Sequence, residues 1–122
     1  MFVHELYDSN KISDSSIITI GNYDGFHKGH KFIISKMREL ANDNNLKTVL
    51  LTFNPHTKTI ISNSNFKVLT TFSMKKKLAE ELLIDYLCEV KFNKIVKNLN
   101  FKEFINIVIK KYNPSIILFG YD

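Results

Sequence analysis

The chain has few of the features that would assign it to a secreted or membrane-bound class. It carries one cysteine in 122 residues, so no internal disulfide can form, which agrees with a reducing compartment. No apolar run approaches the roughly 20 residues that a membrane-spanning helix needs. The N-terminus lacks both the basic start and the apolar core of a signal peptide. We therefore expect a cytoplasmic protein of one small domain with no membrane partner.

Arginine is also scarce, although the chain is basic. The formal net charge is +5, and among the 17 basic residues Arg38 is the only arginine. Arginine is favoured for bidentate recognition of phosphates and base edges, and only Lys75–Lys77 forms a run of lysines. We therefore expect no nucleic-acid partner. A modest positive field suits small anionic substrates instead.

Apolar strand-like runs alternate with helical patterns, which predicts an α/β fold with a mostly parallel sheet. The predicted strands are Ser16–Gly21, Lys47–Phe53, Asp85–Val90 and Ser115–Gly120, and the predicted helices are His27–Asn42, Ser73–Leu83 and Phe101–Lys111. Most strand centres are apolar on both faces, as expected where helices cover both sides of a sheet. Cys88, in the third strand, is predicted to be a buried structural thiol.

The sequence stops directly after the fourth predicted strand. Ile116–Phe119 is a continuous apolar run, which predicts neighbours on both sides, whereas the sequence stops at Asp122. We expect a doubly wound, Rossmann-like parallel sheet of strand order 3-2-1-4, truncated after its fourth main strand. In that order strands one and four are neighbours at the switch point, where ligands bind.

Three of the four glycines lie in one stretch, GNYDGFHKGH, which runs from Gly21 to His30. It joins the first predicted strand to the first predicted helix, where backbone N–H groups and a helix N-terminus can hold a phosphate. His27 and His30 are three residues apart, so both can project from one helical face and donate hydrogen bonds to phosphate oxygens. Asp24 could cap the turn or help to organise a magnesium ion.

Two other interpretations of this stretch have less support. A capped helix with two exposed histidines does not account for the combined spacing of the glycines, Asp24 and the histidine pair. A zinc site would need further soft ligands, and only Cys88 and His56 are available, without ligand spacing. The prediction is therefore a phosphate-binding turn, with no metal ligand assigned to the protein. In the expected sheet this turn meets Gly120–Asp122 at the carboxyl edge.

The pattern G-x-x-D-x-x-H-x-G-H resembles the signature of the HxGH nucleotidyltransferase superfamily. Its fuller form here resembles the prokaryotic FAD synthetases, usually the N-terminal half of a bifunctional riboflavin kinase/FMN adenylyltransferase. Thr52 to His56 is similar to the family's T-F-x-P-H-P loop, with Thr57 in place of the last proline. Two more segments are similar to family motifs: Leu69-Thr70-Thr71 with Lys77, and Gly120 to Asp122.

The resemblance implies an enzyme that transfers AMP from ATP to FMN, giving FAD and pyrophosphate, with Mg²⁺ bound through the ATP phosphates. It implies that His27 and His30 are catalytic and stabilise charge on those phosphates. The implied ATP- and phosphate-binding residues are Gly21, Asn22, Asp24, Gly25, His27, Gly29, His30 and Gly120. The implied flavin-binding residues are Thr52, Phe53, Asn54, Pro55, His56 and Asp122.

Part of the family pattern has no counterpart in the sequence. The I-S-S-T-x-I-R type segment is absent, and so is the riboflavin kinase domain. Residues 1–122 are therefore expected to be a partial FAD synthetase domain whose partners include its missing C-terminal segments. Two alternatives stay open: another HxGH nucleotidyltransferase with a different phosphorylated acceptor, and an inactive fragment that binds nucleotide, flavin or RNA. The Thr52–His56 segment argues against the first.

Overall fold

The computed structural model describes residues 1–23, 28–54, 72–91 and 97–120. In these ranges the strands are β1 (Phe2–Glu5), β2 (Ser16–Ile20), β3 (Lys47–Asn54), β4 (Tyr86–Lys91) and β5 (Pro114–Phe119). The helices are α1 (Lys28–Asn44), α2 (Phe72–Glu81) and α3 (Phe101–Tyr112). All four strand pairings are parallel, which confirms the predicted α/β class.

The strands form one sheet in the order β1-β4-β3-β2-β5. The four predicted strands therefore take the predicted order 3-2-1-4, and β1 adds a fifth strand beside β4 at the far edge. Sequence reasoning missed β1 because it is only four residues long and three of them are exposed. Such a strand shows no buried apolar pattern.

Helices cover both faces of this sheet. On one face α3 packs, through Val108 and Tyr112, on a buried set that includes Ile18 and Leu51. On the other face α1 and α2 pack on a second buried set that includes Leu50. Adjacent strand residues thus face opposite helical layers, which explains why the strand centres are apolar throughout.

The boundaries of α3 follow from its capping residues. The Asn100 side chain accepts a hydrogen bond from the Glu103 backbone N–H at 2.8 Å, and its amide donates to the Glu103 carboxylate at 2.5 Å. The helix ends at Asn113, which adopts φ 46° and donates its N–H to Ile109. Asparagine tolerates this left-handed conformation well, and a proline follows. Both predicted ends are confirmed.

The connections change sides between β2 and β5. Helices α1 and α2 carry the chain from β2 through β3 to β4 on one face, and α3 returns it on the other face to β5. The predicted switch point therefore lies at the carboxyl ends of β2 and β5. No helix in the described ranges is long and apolar enough to cross a membrane.

Candidate functional site

Two glycines link the carboxyl end of β2 to both neighbouring strands, β5 and β3. The Gly120 N–H donates to the Ile20 carbonyl at 2.8 Å, and the Gly21 N–H donates to the Leu51 carbonyl at 3.1 Å. A Cβ atom built on Gly21 would lie 3.4 Å from the Gly120 Cα. The structure therefore brings the start of the glycine-rich turn against the end of the fourth predicted strand.

Tyr23 fills the space beneath this junction. Its side chain is fully buried, its hydroxyl bonds to the Thr19 hydroxyl, and its ring centroid lies 4.9 Å from that of His30. The residue adopts φ 52°, a left-handed conformation that is uncommon for a bulky side chain. Such a backbone persists only where the surroundings hold it, and here the ring is held between two strands and α1.

Asn22 and Thr52 are also brought together, although they lie 30 residues apart. The Thr52 hydroxyl donates to the Asn22 carbonyl at 2.7 Å, and both residues are buried. The same hydroxyl accepts a hydrogen bond from the Lys75 ammonium at 3.1 Å. The turn after β2, the end of β3 and the first part of α2 therefore share one network.

Phe53 and Asn54 are the other described residues of the Thr52–His56 segment, and their side chains contact different parts of the protein. The Asn54 amide donates to the Glu89 carboxylate at 3.2 Å, at the edge where β3 and β4 end. The Phe53 ring points to the opposite face, where it stacks on Phe104 of α3 with centroids 6.1 Å apart. The side chains of Thr52 and Phe53 therefore lie on opposite sides of the sheet.

His30 lies in the first turn of α1, which begins at Lys28 beyond the carboxyl end of β2. This placement puts the positive end of the helix dipole at the predicted phosphate site. The His30 side chain is nonetheless fully buried, with the Tyr23 ring against it. The predicted contact of His30 with phosphate stays a prediction.

Several predicted site residues lie outside the part of the chain that the structure describes. Gly29 is not one of them, because it lies within the first turn of α1. The residues outside the described ranges are Asp24, Gly25, His27, Pro55, His56 and Asp122. Their predicted roles stay predictions.

The FAD synthetase family model matches residues 9–122. The chain belongs to the FAD synthetase family. The match includes the glycine-rich turn, the β3 end and α2, so the network described above lies within the part of the chain that the family shares.

Similar curated proteins are bifunctional riboflavin kinase/FMN adenylyltransferases. The protein from Buchnera aphidicola subsp. Schizaphis graminum is 35% identical over 122 residues, covering 98% of this chain and 39% of the relative. The Listeria monocytogenes protein is 25% identical, covering 100% of this chain and 40% of the relative. The Escherichia coli K12 protein is 26% identical over 111 residues, covering 90% and 35%. This FAD synthetase chain thus spans about two fifths of their length.

A solved structure shares the fold. The crystal structure of a macrolide-efflux protein from Streptococcus pneumoniae matches with a TM-score of 0.83 and 22% identity, and covers 100% of this chain and 49% of that one. At this identity the likeness concerns the doubly wound architecture alone.

Sequence reasoning did not predict that Lys75 is buried beside Thr52. The structure buries Lys75 and leaves Lys76 and Lys77 exposed, and the resemblance that names Lys77 stays a prediction. The helical pattern held the signal, because Lys75 precedes buried Ala79 by four residues and therefore lies on the inward stripe of α2.

The chemistry that these residues offer is that of anion positioning. Helix α1 begins beyond the end of β2, so the positive end of its dipole lies at the switch point. Among the described residues there is no group of three His, Cys, Asp or Glu side chains that could hold a metal ion. Such an arrangement can position phosphates.

Proposed function

We propose that this chain supplies FMN adenylyltransferase activity, transferring AMP from ATP to FMN to give FAD and pyrophosphate. The observation that carries the proposal is the position of Gly21–Tyr23 and of the first turn of α1 at the switch point of a doubly wound sheet, in a member of the FAD synthetase family. The name of the curated relatives supports the same reaction.

The proposed reaction depends more on how the FMN and ATP phosphates are positioned than on reactive side chains. The FMN phosphate oxygen attacks the α-phosphorus of ATP, a P–O bond forms, and the bond to the pyrophosphate leaving group breaks. Most of the catalytic effect then comes from holding the two phosphates in line and stabilising the charge that develops. Mg²⁺ would neutralise charge on the ATP phosphates, which hold it in place of a protein metal cluster.

Residue roles follow from this arrangement. We assign the ATP phosphates to the Gly21–His30 stretch and Gly120, with His27 and His30 as catalytic donors. We assign the flavin to the Thr52–His56 segment and Asp122. Because the Phe53 ring packs on α3, Phe53 contributes to this pocket through its backbone.

The proposal extends to the rest of a longer protein. Phe119 is 55% exposed and Phe32 is 73% exposed, and together with Ile33 and Leu118 they line an apolar groove of about 170 Å³ between β5 and α1. More than half of the length of the relative from Buchnera aphidicola subsp. Schizaphis graminum lies outside the part that matches this chain. We infer that C-terminal segments of a cytoplasmic, bifunctional protein cover this edge.

The test is FAD formation from FMN, ATP and Mg²⁺, followed by chromatography with flavin fluorescence. We expect the wild-type chain to form FAD and the His30→Gln variant to lose about 10²–10³-fold in kcat, the effect of removing one charge-stabilising donor. Ser35→Ala, an exposed position on the same helix, is the matched control. Because His30 is buried, the melting temperature of each variant is measured first, and His30→Asn replaces a variant that does not fold.

Two outcomes contradict the proposal. A folded His30→Gln variant with near-normal turnover removes the histidine from the mechanism. A wild-type chain that binds ATP by calorimetry and forms no FAD supports the alternative of an inactive binding fragment.

A further inference from the structure

Lys75 is the cation that lies deepest among the described residues at the carboxyl edge of the sheet. Only 4% of the residue is exposed. Its ammonium donates to the Thr52 hydroxyl at 3.1 Å and approaches the Phe53 carbonyl oxygen at 3.4 Å. Lysine is almost never this buried without strong partners, because its charge loses hydration. The burial of Lys75 therefore depends on the hydrogen-bond partners of its ammonium.

The direction of the hydrogen bonds is fixed by chemistry. A threonine hydroxyl has one proton, and Thr52 gives it to the Asn22 carbonyl at 2.7 Å. The Lys75 ammonium has only donors, so the Thr52 oxygen accepts from it. The result is a relay from Lys75 through Thr52 to Asn22. A donor bond from a charged group polarises the hydroxyl and strengthens its bond to the carbonyl.

The relay ends in the glycine-rich turn. Asn22 follows Gly21 and precedes Tyr23, whose left-handed backbone lets the chain turn toward α1. The Asn22 carbonyl is thus held at the point where the chain leaves β2. Any loosening there moves the residues that follow, including the donors proposed for the ATP phosphates.

We propose that Lys75 is a positioning residue that holds the Gly21–Tyr23 turn in its productive geometry through Thr52. This inference deepens the proposed adenylyl transfer and rests on it. Lys75 is assigned no contact with substrate. Its removal should lower kcat more than it raises KM for ATP, since misplaced donors weaken transition-state contacts that the ground state does not fully use.

The experiment compares Lys75→Met, Thr52→Val and Thr52→Ser with Lys76→Met. Lys76 is exposed on the same helix, so Lys76→Met removes a charge without touching the relay. We expect Lys75→Met and Thr52→Val each to lower kcat at least tenfold, with KM for ATP changed less than threefold. Thr52→Ser keeps the hydroxyl, so its kcat should lie well above that of Thr52→Val. The double variant Lys75→Met/Thr52→Val should lose little more than either single variant.

A second measurement does not depend on turnover. Amide hydrogen exchange in the peptide spanning Ile20 to Tyr23 should be at least tenfold faster in Lys75→Met and unchanged in Lys76→Met. If Lys75 serves stability alone, exchange rises across all of α2 and β3, and kcat of the folded fraction stays within twofold of wild type. That result overturns the inference.

The two proposals fail differently. If the wild-type chain forms no FAD, the proposed function fails, while the exchange comparison still decides whether the relay holds the turn. If wild type is active and folded Lys75→Met matches it, the relay inference alone is wrong. Should Lys75→Met fail to fold, Thr52→Val breaks the same relay without burying or removing a charge.

Discussion

A Cβ atom on Gly120 would lie 2.6 Å from the Tyr23 hydroxyl oxygen and 2.7 Å from the ring carbon that bears it. Glycine at position 120 is thus required by the Tyr23 ring, which packs against the ends of β2 and β5. The same ring lies against His30, so the fit of Gly120 and the setting of the motif histidine depend on one side chain.

Replacing Gly120 by alanine should therefore destabilise the fold. The methyl group must displace the buried Tyr23 ring, and overpacking of this kind costs about 1–3 kcal/mol. Urea unfolding followed by circular dichroism measures the change. Gly21→Ala is the comparison, because its methyl group would lie 3.0 Å from the ring and should cost less. Equal stability of Gly120→Ala and wild type would show that the ring moves freely.

A double-mutant cycle identifies the contact. In a Tyr23→Leu background the side chain ends before the clashing atoms, so the cost of Gly120→Ala should shrink by at least half. An unchanged cost would place the strain in the backbone of β5 rather than in the contact with Tyr23.

Replacing Lys111 by methionine should loosen the N-terminal segment. The Lys111 ammonium is 3% exposed, pairs with the Asp8 carboxylate and donates to the Asn10 carbonyl at 2.8 Å. The variant leaves these acceptors without their donor, which costs about 1–3 kcal/mol. Urea unfolding measures the loss, and the exposed neighbour Lys110→Met should stay within about 0.5 kcal/mol of wild type. Equal effects of the two variants would contradict the role of the buried ammonium.

The fold was largely readable because its four central strands and three helices are strongly patterned. Runs such as Ile17–Ile20 can be satisfied only between two helical layers, and the order of elements then fixes the parallel sheet. Strand β1 was not predicted, because its four residues are mostly exposed and its pairing with β4 leaves no pattern in the sequence.

The sequence predicted that Gly21 and Gly120 lie together at the carboxyl edge of the sheet, but it did not predict the packing around them. The spacing of His27 and His30 predicted that both project from one helical face, but it did not show that His30 is buried against the Tyr23 ring. Likewise, a run of three lysines does not show which one is buried. The orientation of α2 on the sheet determines which lysine is buried, and it turns Lys75 inward.

Lowering the pH from 7 to 5 should reduce stability, in part through His4. Burial lowers the pKa of His4 below its ordinary value of 6.5, with the Asp8 charge opposing this and the Lys111 charge adding to it. The unfolded chain therefore takes up the proton first, and stability present above pH 6.5 is lost as the pH falls. His4 also faces Tyr86 of β4 and the Tyr112 hydroxyl of α3, 3.2 Å from its Nδ1 atom.

Urea unfolding at pH 5, 6 and 7 tests this sign. His4→Gln should have a smaller stability difference between pH 7 and 5 than wild type, because glutamine takes up no proton in this range. A variant with the same pH dependence as wild type would assign the loss to other groups. The Asp8 carboxylate acts in a separate window. Burial acts to raise its pKa, but the hydrogen bonds from Lys111, Glu5 and Asn10 together hold that pKa below 3.8, so its contribution is lost only under stronger acid.

The Cys88 thiol should be inert in the folded protein. It lies on β4, fully buried beneath α3, and burial raises its pKa to about 12, so the reactive thiolate is scarce at neutral pH. We expect no reaction with Ellman's reagent over an hour at pH 8 under native conditions, and one thiol per chain within minutes in guanidinium chloride. Rapid reaction in the native state would mean that α3 opens readily from this face. In that case the Cys88 thiol should react faster in Lys111→Met than in wild type, because loss of the contact between Lys111 and Asp8 frees the segment that packs along α3.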